Sequence, residues 1–259
     1  MLTMSEKRKA RSLTDLIEEL GNRDASVRMR ASLELAKHGE DAVAPLLETL
    51  ADRDPEKRKA AARALGRIGA ASAVQPLLDR MPVESPAVAG AVIDALAEIG
   101  DPAAVPFLCE AVLNEDLSVR YNAVRALGLL GDREALGMLV EALSDPANIV
   151  RQRAVEALAR MDDSSLWVPL AEMLIDSSAG VRSQAARAMG ALRERRALGR
   201  LCRLLRSRFT GDRLAAAEAL DDIGDPSVLP ELREAKAREG QGQVQQAISR
   251  AIESLESGE

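Results

Sequence analysis

The sequence predicts an all-α protein, an α-solenoid of about seven helical pairs that is closed by a half-repeat at each end. Three observations support this fold class. The 259-residue chain is 47% apolar but contains only four aromatic residues, a composition typical of packed helices rich in Ala and Leu. The sequence repeats with a period of 31 residues. Within each repeat, apolar residues recur at helical spacing.

The predicted elements follow one another in a fixed order. A lone helix over residues 12–20 has the pattern of the second helix of a pair, and seven pairs follow, each with a helix A and then a helix B. Helices B share a leucine at their fifth position: Leu46, Leu77, Leu108, Leu139, Leu170, Leu201 and Leu232. Helices A are aligned on Leu35, Leu65, Leu96, Leu127, Leu158, Met189 and Leu220. A lone helix A over residues 244–255 ends the series.

Glycine and Asp-Pro pairs mark the predicted helix boundaries. Five helices A end on a glycine, the residue that accepts the left-handed conformation after a helix: Gly39, Gly69, Gly100, Gly131 and Gly224. Asp-Pro pairs at 54–55, 101–102, 145–146 and 225–226 suit an N-cap followed by a first helical turn. We therefore expect one continuous domain over residues 12–255, a flexible segment at 1–11 and a tail at 256–259.

The composition also limits the chemistry. One histidine, His38, and two cysteines cannot supply a four-ligand zinc site of Cys and His or a disulfide framework. We therefore predict no catalytic residues, no metal, no cofactor and no enzymatic activity. No apolar run approaches the roughly 20 residues that span a bilayer, and the first residues, "MLTMSEKRKARSLTDL", lack the apolar stretch of a secretory signal. We expect a cytoplasmic protein that does not enter a membrane.

The pattern "D…VR…A…ALG.IGD..AV..L...L" at this period resembles HEAT repeats, in particular those of phycobilin lyase subunits and of bacterial HEAT-repeat scaffold proteins. The resemblance covers residues 12 to 255. It implies a right-handed superhelix of the armadillo type, with helices B on the inner face. It implies two functions, a non-enzymatic scaffold for other proteins or a phycobilin lyase or lyase-chaperone subunit, because one repeat fold serves many functions.

Two polar positions recur in the repeats. An arginine stands near the start of six helices A, and we name these residues the arginine ladder: Arg28, Arg58, Arg120, Arg151, Arg182 and Arg213. Six residues before each arginine stands an Asn, Asp or Ser, which predicts hydrogen bonds that hold neighbouring loops in register. The third repeat has Ala89 and Val83 at these positions. Either both partners of one interaction are lost together, or residues 81–88 form a flexible joint.

A row of carboxylates is predicted on the helices B. The seventh position of each helix B points away from its apolar residues, and in each of the first five repeats it is acidic: Glu48, Asp79, Glu110, Glu141 and Glu172. The resemblance places this row in an inner groove, where Phe107 and Met138 would form an apolar spot. Such a groove suits a basic or amphipathic segment of a partner protein. The alternative is that these charges only keep the surface soluble.

The segment 193–208 carries seven arginines and one glutamate. Four of its arginines are assigned to a basic patch: Arg196, Arg200, Arg203 and Arg206. The patch could hold phosphate or a carboxylate-rich segment, or its charges could be neutralised by Glu194, Asp212 or Glu231. Nucleic-acid binding along the inner face is disfavoured because the five acidic repeats repel a duplex, and binding of nucleic acid through the patch of residues 193–208 alone is the lower alternative. Trp167 is expected to be a packing residue.

Overall fold

The computed structural model describes residues 11–161, 163–240 and 242–257. These residues form sixteen α-helices and ten short 3₁₀ turns, without a β-strand among them, so the all-α prediction is confirmed for this part of the chain. The chain divides between Leu130 and Gly131 into two compact units, which are described one at a time. Most of the predicted N-terminal segment, residues 1–10, and the end of the predicted tail, residues 258–259, lie outside the described residues.

Unit one contains three complete helical pairs, a leading helix B and a final helix A. Its helices are α1 Leu13–Glu19, α2 Ala25–Lys37, α3 Val43–Thr49, α4 Pro55–Ile68, α5 Val74–Arg80, α6 Pro86–Ile99, α7 Val105–Ala111 and α8 Leu117–Leu130. The four helices A, α2, α4, α6 and α8, pack on one another in sequence order. The short helices α1, α3, α5 and α7 each pack on the helix A that follows. Unit one therefore has two helical layers.

Unit two has the same arrangement. Its helices are α9 Leu136–Glu141, α10 Asn148–Ala159, α11 Trp167–Glu172, α12 Ala179–Ala191, α13 Leu198–Leu204, α14 Thr210–Ile223, α15 Leu229–Arg238 and α16 Gln243–Ser257. The helices A are α10, α12, α14 and α16, which pack in sequence order. The last of them continues two residues beyond the predicted end at residue 255.

The core of each unit is built from leucine and alanine. All seven helix B leucines used to align the repeats are fully buried. Helices A approach one another closely because small residues face each other. A Cβ atom at Gly66 of α4 would lie 2.7 Å from Cα of Ala95 in α6, and one at Gly190 of α12 would lie 2.8 Å from Cα of Ala219 in α14. Layers this close leave little room for aromatic side chains.

The predicted boundaries are largely correct. The five glycines after helices A all have positive φ, between 57° and 78°. Asp54 caps α4 and Pro55 is its first residue, whereas Asp101 and Asp225 cap 3₁₀ turns that lead into helices B. The pair at 145–146 differs from the prediction, because α10 begins only at Asn148, with Ala147 as its N-cap.

Candidate functional site

The arginine ladder binds the backbone of its own repeat. In all six residues, Nη1 donates to the carbonyl oxygen six positions earlier, over distances of 2.7 to 3.0 Å. Five of them also reach the carbonyl five positions earlier. A planar guanidinium can reach two neighbouring carbonyls with one nitrogen and keeps its other donors free. Each arginine thus fixes the loop that precedes its helix.

The Asn, Asp or Ser six residues before each arginine also has a role that the sequence did not predict. Its side-chain oxygen accepts a hydrogen bond from the backbone N–H two residues later, as Asp52 does from Asp54 and Asp176 from Ser178. The same bond forms in the other four repeats that have such a residue. These are turns closed by a side chain, so each of these residues stabilises the loop in which it stands.

The remaining donors of several ladder arginines bind a carboxylate of the following repeat. Arg151 Nε lies 2.8 Å from Asp176 Oδ2, and Arg182 Nε lies 2.9 Å from Asp212 Oδ2. Arg213 contacts Glu239 in the same way, at 2.7 Å. Burial would raise the pKa of Asp176, but hydrogen bonds from Arg151 and Ser178 outweigh it and lower that pKa. The ladder therefore connects successive repeats within unit two.

In unit one the third repeat departs from this pattern, and one interpretation made from the sequence is wrong. The carboxylate is not lost with Val83, because the next residue, Glu84, supplies it. Arg58 Nε lies 3.0 Å from Glu84 Oε1, and Arg80 Nη2 lies 2.7 Å from the same oxygen. Only 1% of the Glu84 side chain is exposed. The arginine, in contrast, is lost: Ala89 has no donor for the preceding loop.

The predicted carboxylates of unit one lie on the surface of their helices B. Glu48 on α3, Asp79 on α5 and Glu110 on α7 are exposed, and none of them has an ion-pair partner among the described residues. Asp79 accepts a hydrogen bond from Gln75 at 2.8 Å. The Phe107 ring on α7 is 40% exposed. Unit one therefore has a helix-B face, defined here as these exposed positions, with uncompensated negative charge.

A cavity of about 310 Å³ adjoins the helix-B face of unit one. Phe107 and Glu110 line one side, and the loop with Pro82, Glu84 and Pro86 lines the other. Sequence reasoning did not find this cavity, whose lining includes Ala89, the residue that stands where six other repeats have an arginine.

In unit two, Glu141 on α9 and Glu172 on α11 are exposed and likewise have no ion-pair partner within the described ranges. Met138 is half-buried and is therefore less exposed than expected. The predicted contact between Phe107 and Met138 joins the two units and stays a prediction, as does the continuity of the row from Glu110 to Glu141.

The basic patch is partly neutralised. Arg196 Nε donates to Glu194 at 2.7 Å, and its guanidinium lies 4.5 Å from the centroid of the Trp167 ring. This hydrogen bond lowers the pKa of Glu194. Arg206 pairs with Glu234 at 2.9 Å. Arg200 and Arg203 have no ion-pair partner in the part of the chain that the structure describes.

Two of the three acids expected to neutralise the patch have other roles. Asp212 is buried and binds Arg182, Ser183 and Ser207. Glu231 Oε2 is buried without a hydrogen-bond partner among the described residues, next to a cavity of about 320 Å³ that Arg203 and Arg206 also line. Burial, followed by the charge of Glu231, raises the pKa of Cys202 in this cavity to about 11.

Within residues 11–161, 163–240 and 242–257, acidic, histidine and cysteine side chains form no group that could hold a metal ion. The helices in these ranges are too short or too polar to cross a membrane.

Comparison with known proteins identifies the repeat. The family model described as HEAT repeats matches residues 13–84, 82–159, 114–179 and 168–253. These matches extend over most of the chain and include both units. No curated protein matches the sequence.

Three similar solved structures share the fold. YibA of Escherichia coli has a TM-score of 0.72 and 22% identity, over 99% of this chain and 98% of that one. The complex of CpcE and CpcF of phycocyanin lyase from Nostoc has a TM-score of 0.53 and 21% identity, over 82% of this chain and 94% of that one. An engineered protein has a TM-score of 0.55 and 21% identity, over 95% of this chain and 78% of that one. At such identities the likeness shows the fold alone.

Proposed function

Because the chain belongs to the HEAT-repeat family, we propose that it is a non-enzymatic scaffold which binds basic or amphipathic segments of another protein on the exposed carboxylates of its helices B, in unit one and in unit two. The observation that carries the proposal is the set of exposed carboxylates at one repeat position, Glu48, Asp79, Glu110, Glu141 and Glu172, without ion-pair partners among the described residues. Several carboxylates in the loops or at the start of a helix A, in contrast, bind arginines. Unpaired charge of one sign attracts a partner of the opposite sign.

The apolar part of the proposed site is Phe107. A large apolar side chain that is 40% exposed beside Glu110 offers contact area to an amphipathic segment, and aromatic residues are enriched among the residues that dominate binding free energy. The chemistry of the partner follows from this pairing: positive charge, with apolar side chains next to it.

The experiment is affinity capture with quantitative mass spectrometry. The double variant Glu110→Lys/Glu141→Lys should reduce recovery of the partner about tenfold, or about 1.4 kcal/mol. The matched control is Glu98→Lys/Glu253→Lys, which makes the same charge change at two exposed positions on helices A and should leave recovery unchanged. Equal recovery with both variants, while circular dichroism shows intact helices, contradicts the proposal.

A second binding surface is proposed at the basic patch. Arg200 and Arg203 are the members without an ion-pair partner among the described residues, so they are available for phosphate or an acidic segment. Arg200→Glu/Arg203→Glu in the same capture experiment tests this surface separately from the helix-B face.

Only the shared fold supports the alternative function of a phycobilin lyase or lyase-chaperone subunit. Titration with a linear tetrapyrrole, with the absorbance spectrum as readout, tests it directly.

A further inference from the structure

The cavity of about 310 Å³ in unit one lies where the arginine ladder is interrupted. Its lining includes Ala89, which replaces the ladder arginine, and Glu84, which belongs to the loop that this arginine would bind. The lining also includes Asn114, which stands 25 positions after Ala89, as Asp176 stands 25 positions after Arg151. The cavity is thus bordered by the two groups that a ladder arginine such as Arg151 binds: the loop before its own helix and the residue 25 positions later. Its volume is at the lower end of the range for ligand pockets.

An aromatic ring in the cavity has no cation above it. Trp167 lies under Arg196, at 4.5 Å, and Phe209 lies under Arg182, at 5.1 Å. Phe107 is 40% exposed, and no arginine of the described residues lies over its ring. The face of an aromatic ring attracts a guanidinium, so Phe107 provides a free platform of the kind that the chain's own arginines occupy elsewhere.

The cavity also has one uncompensated charge. Glu84 is already bound by Arg58 and Arg80. Glu110 is exposed and has no ion-pair partner among the described residues. Asn114 is neutral, whereas Asp176, which stands at the equivalent position of a later repeat, is a carboxylate that binds Arg151. One added cation would therefore balance the carboxylate of Glu110.

We propose that this cavity binds an arginine side chain of a partner protein, which replaces in trans the ladder arginine that the third repeat lacks. This inference rests on the proposed function, since it names the side chain by which a basic segment is recognised on the helix-B face. The guanidinium stacks on Phe107, pairs with Glu110 and donates to the loop of residues 83 and 84. Arginine suits the cavity better than lysine because six intramolecular examples use the planar fork to reach two carbonyls or a carboxylate.

The test uses three small probes and the full chain. The ¹⁵N-labelled protein is titrated with N-acetyl-L-arginine amide, its lysine analogue and its neutral citrulline analogue at equal ionic strength. We expect the arginine probe to shift the amide signals of residues 84–89 and 107–114 and to saturate with a Kd roughly in the millimolar range, as its small size allows. The citrulline probe should bind at least tenfold more weakly, and the lysine probe severalfold more weakly.

Variants show whether the cavity is the site. Ala89→Arg supplies the missing side chain within the chain and should abolish binding of the arginine probe. Ala87→Arg is the matched control, because it adds the same charge at an exposed position two residues away, and it should retain binding. Phe107→Leu keeps an apolar side chain, removes the ring and should weaken binding severalfold. It carries the test on its own if Ala89→Arg fails to fold.

Three results would overturn the inference: equal binding of arginine and citrulline probes, unchanged binding by Ala89→Arg, or shifts that do not saturate or lie elsewhere. If one of these occurs while partner capture still depends on Glu110 and Glu141, the arginine cavity is wrong and the scaffold proposal stands. If the probe binds as expected but capture does not depend on these carboxylates, the scaffold proposal is wrong, and with it the assignment of the bound arginine to a partner protein.

Discussion

Arg58 and Glu84, which belong to consecutive repeats, are joined by three hydrogen bonds: Nε donates to Oε1 at 3.0 Å and to Oε2 at 3.1 Å, and Nη2 donates to Oε2 at 2.9 Å. The same arginine holds the carbonyl of Asp52 at 2.9 Å. One side chain therefore connects the loop before its own helix to the loop of the next repeat. Because Glu84 is nearly inaccessible to water, removing its partner Arg58 costs more stability than breaking an exposed ion pair would.

We predict that Arg58→Ala lowers the free energy of unfolding by about 2 kcal/mol, since it removes one of two cations from a buried carboxylate and leaves two loop carbonyls without their donor. Urea denaturation followed by circular dichroism measures the change. Arg233→Ala is the control: the pair of Arg233 with Glu256 is exposed, and its loss should cost less than about 0.5 kcal/mol. Equal costs for both variants would contradict the role assigned to Arg58.

Replacement by alanine should have opposite effects on stability at two helical glycines. Gly190→Ala places a Cβ 2.8 Å from Cα of Ala219, so α12 and α14 must separate, and we expect a loss of about 1 to 3 kcal/mol. Gly199→Ala meets no atom within 4 Å and should raise stability by up to about 1 kcal/mol, through helix propensity. Thermal unfolding of the two variants provides the comparison. A gain in melting temperature for Gly190→Ala would show that the helices A are not in tight contact there.

Stability should fall in acid as Asp163 becomes protonated. Hydrogen bonds from the side chain and backbone of Ser165, and then from Arg133, lower the pKa of Asp163 from 3.8 to about 2. A folded-state pKa below the unfolded value stabilises the fold fully above about pH 4, and this contribution is lost as the pH falls through about 2. NMR titration of the carboxyl carbon should give the low midpoint. Ser165→Ala should raise it more than Arg133→Gln, and the reverse order would contradict the assigned causes.

Restoring the arginine ladder should stabilise the third repeat. Ala89→Arg/Asn114→Asp recreates the pair formed by Arg151 and Asp176, and we expect about 1 kcal/mol of added stability from a bidentate, partly buried contact. Hydrogen exchange should slow in residues 81–92 and stay unchanged in residues 55–68. This measurement also tests the predicted joint at residues 81–88: protection in the parent protein equal to that of residues 113–124 would argue against a joint.

The helical pairs could be predicted from the sequence because a 31-residue period repeats one local pattern seven times, so a misread residue in one repeat is corrected by the others. The burial of all seven aligned leucines agrees with this prediction. Glu84 was missed because it lies one position after Val83, outside the register that the repeat defines. Its signal was Arg80, four residues earlier, where a helical ion pair would form. Met138 was misjudged because the orientation of α9 depends on packing, which the helical period alone does not describe.

The ladder arginines of unit two, Arg151, Arg182 and Arg213, each join their own loop to the repeat that follows and reach no further. A segment of 31 residues that is excised or duplicated between equivalent positions would bring a guanidinium and a carboxylate of the same kind together at the new junction. The chain can therefore change length in whole repeats during evolution without a new set of contacts, whereas an insertion of any other length would separate donor from acceptor.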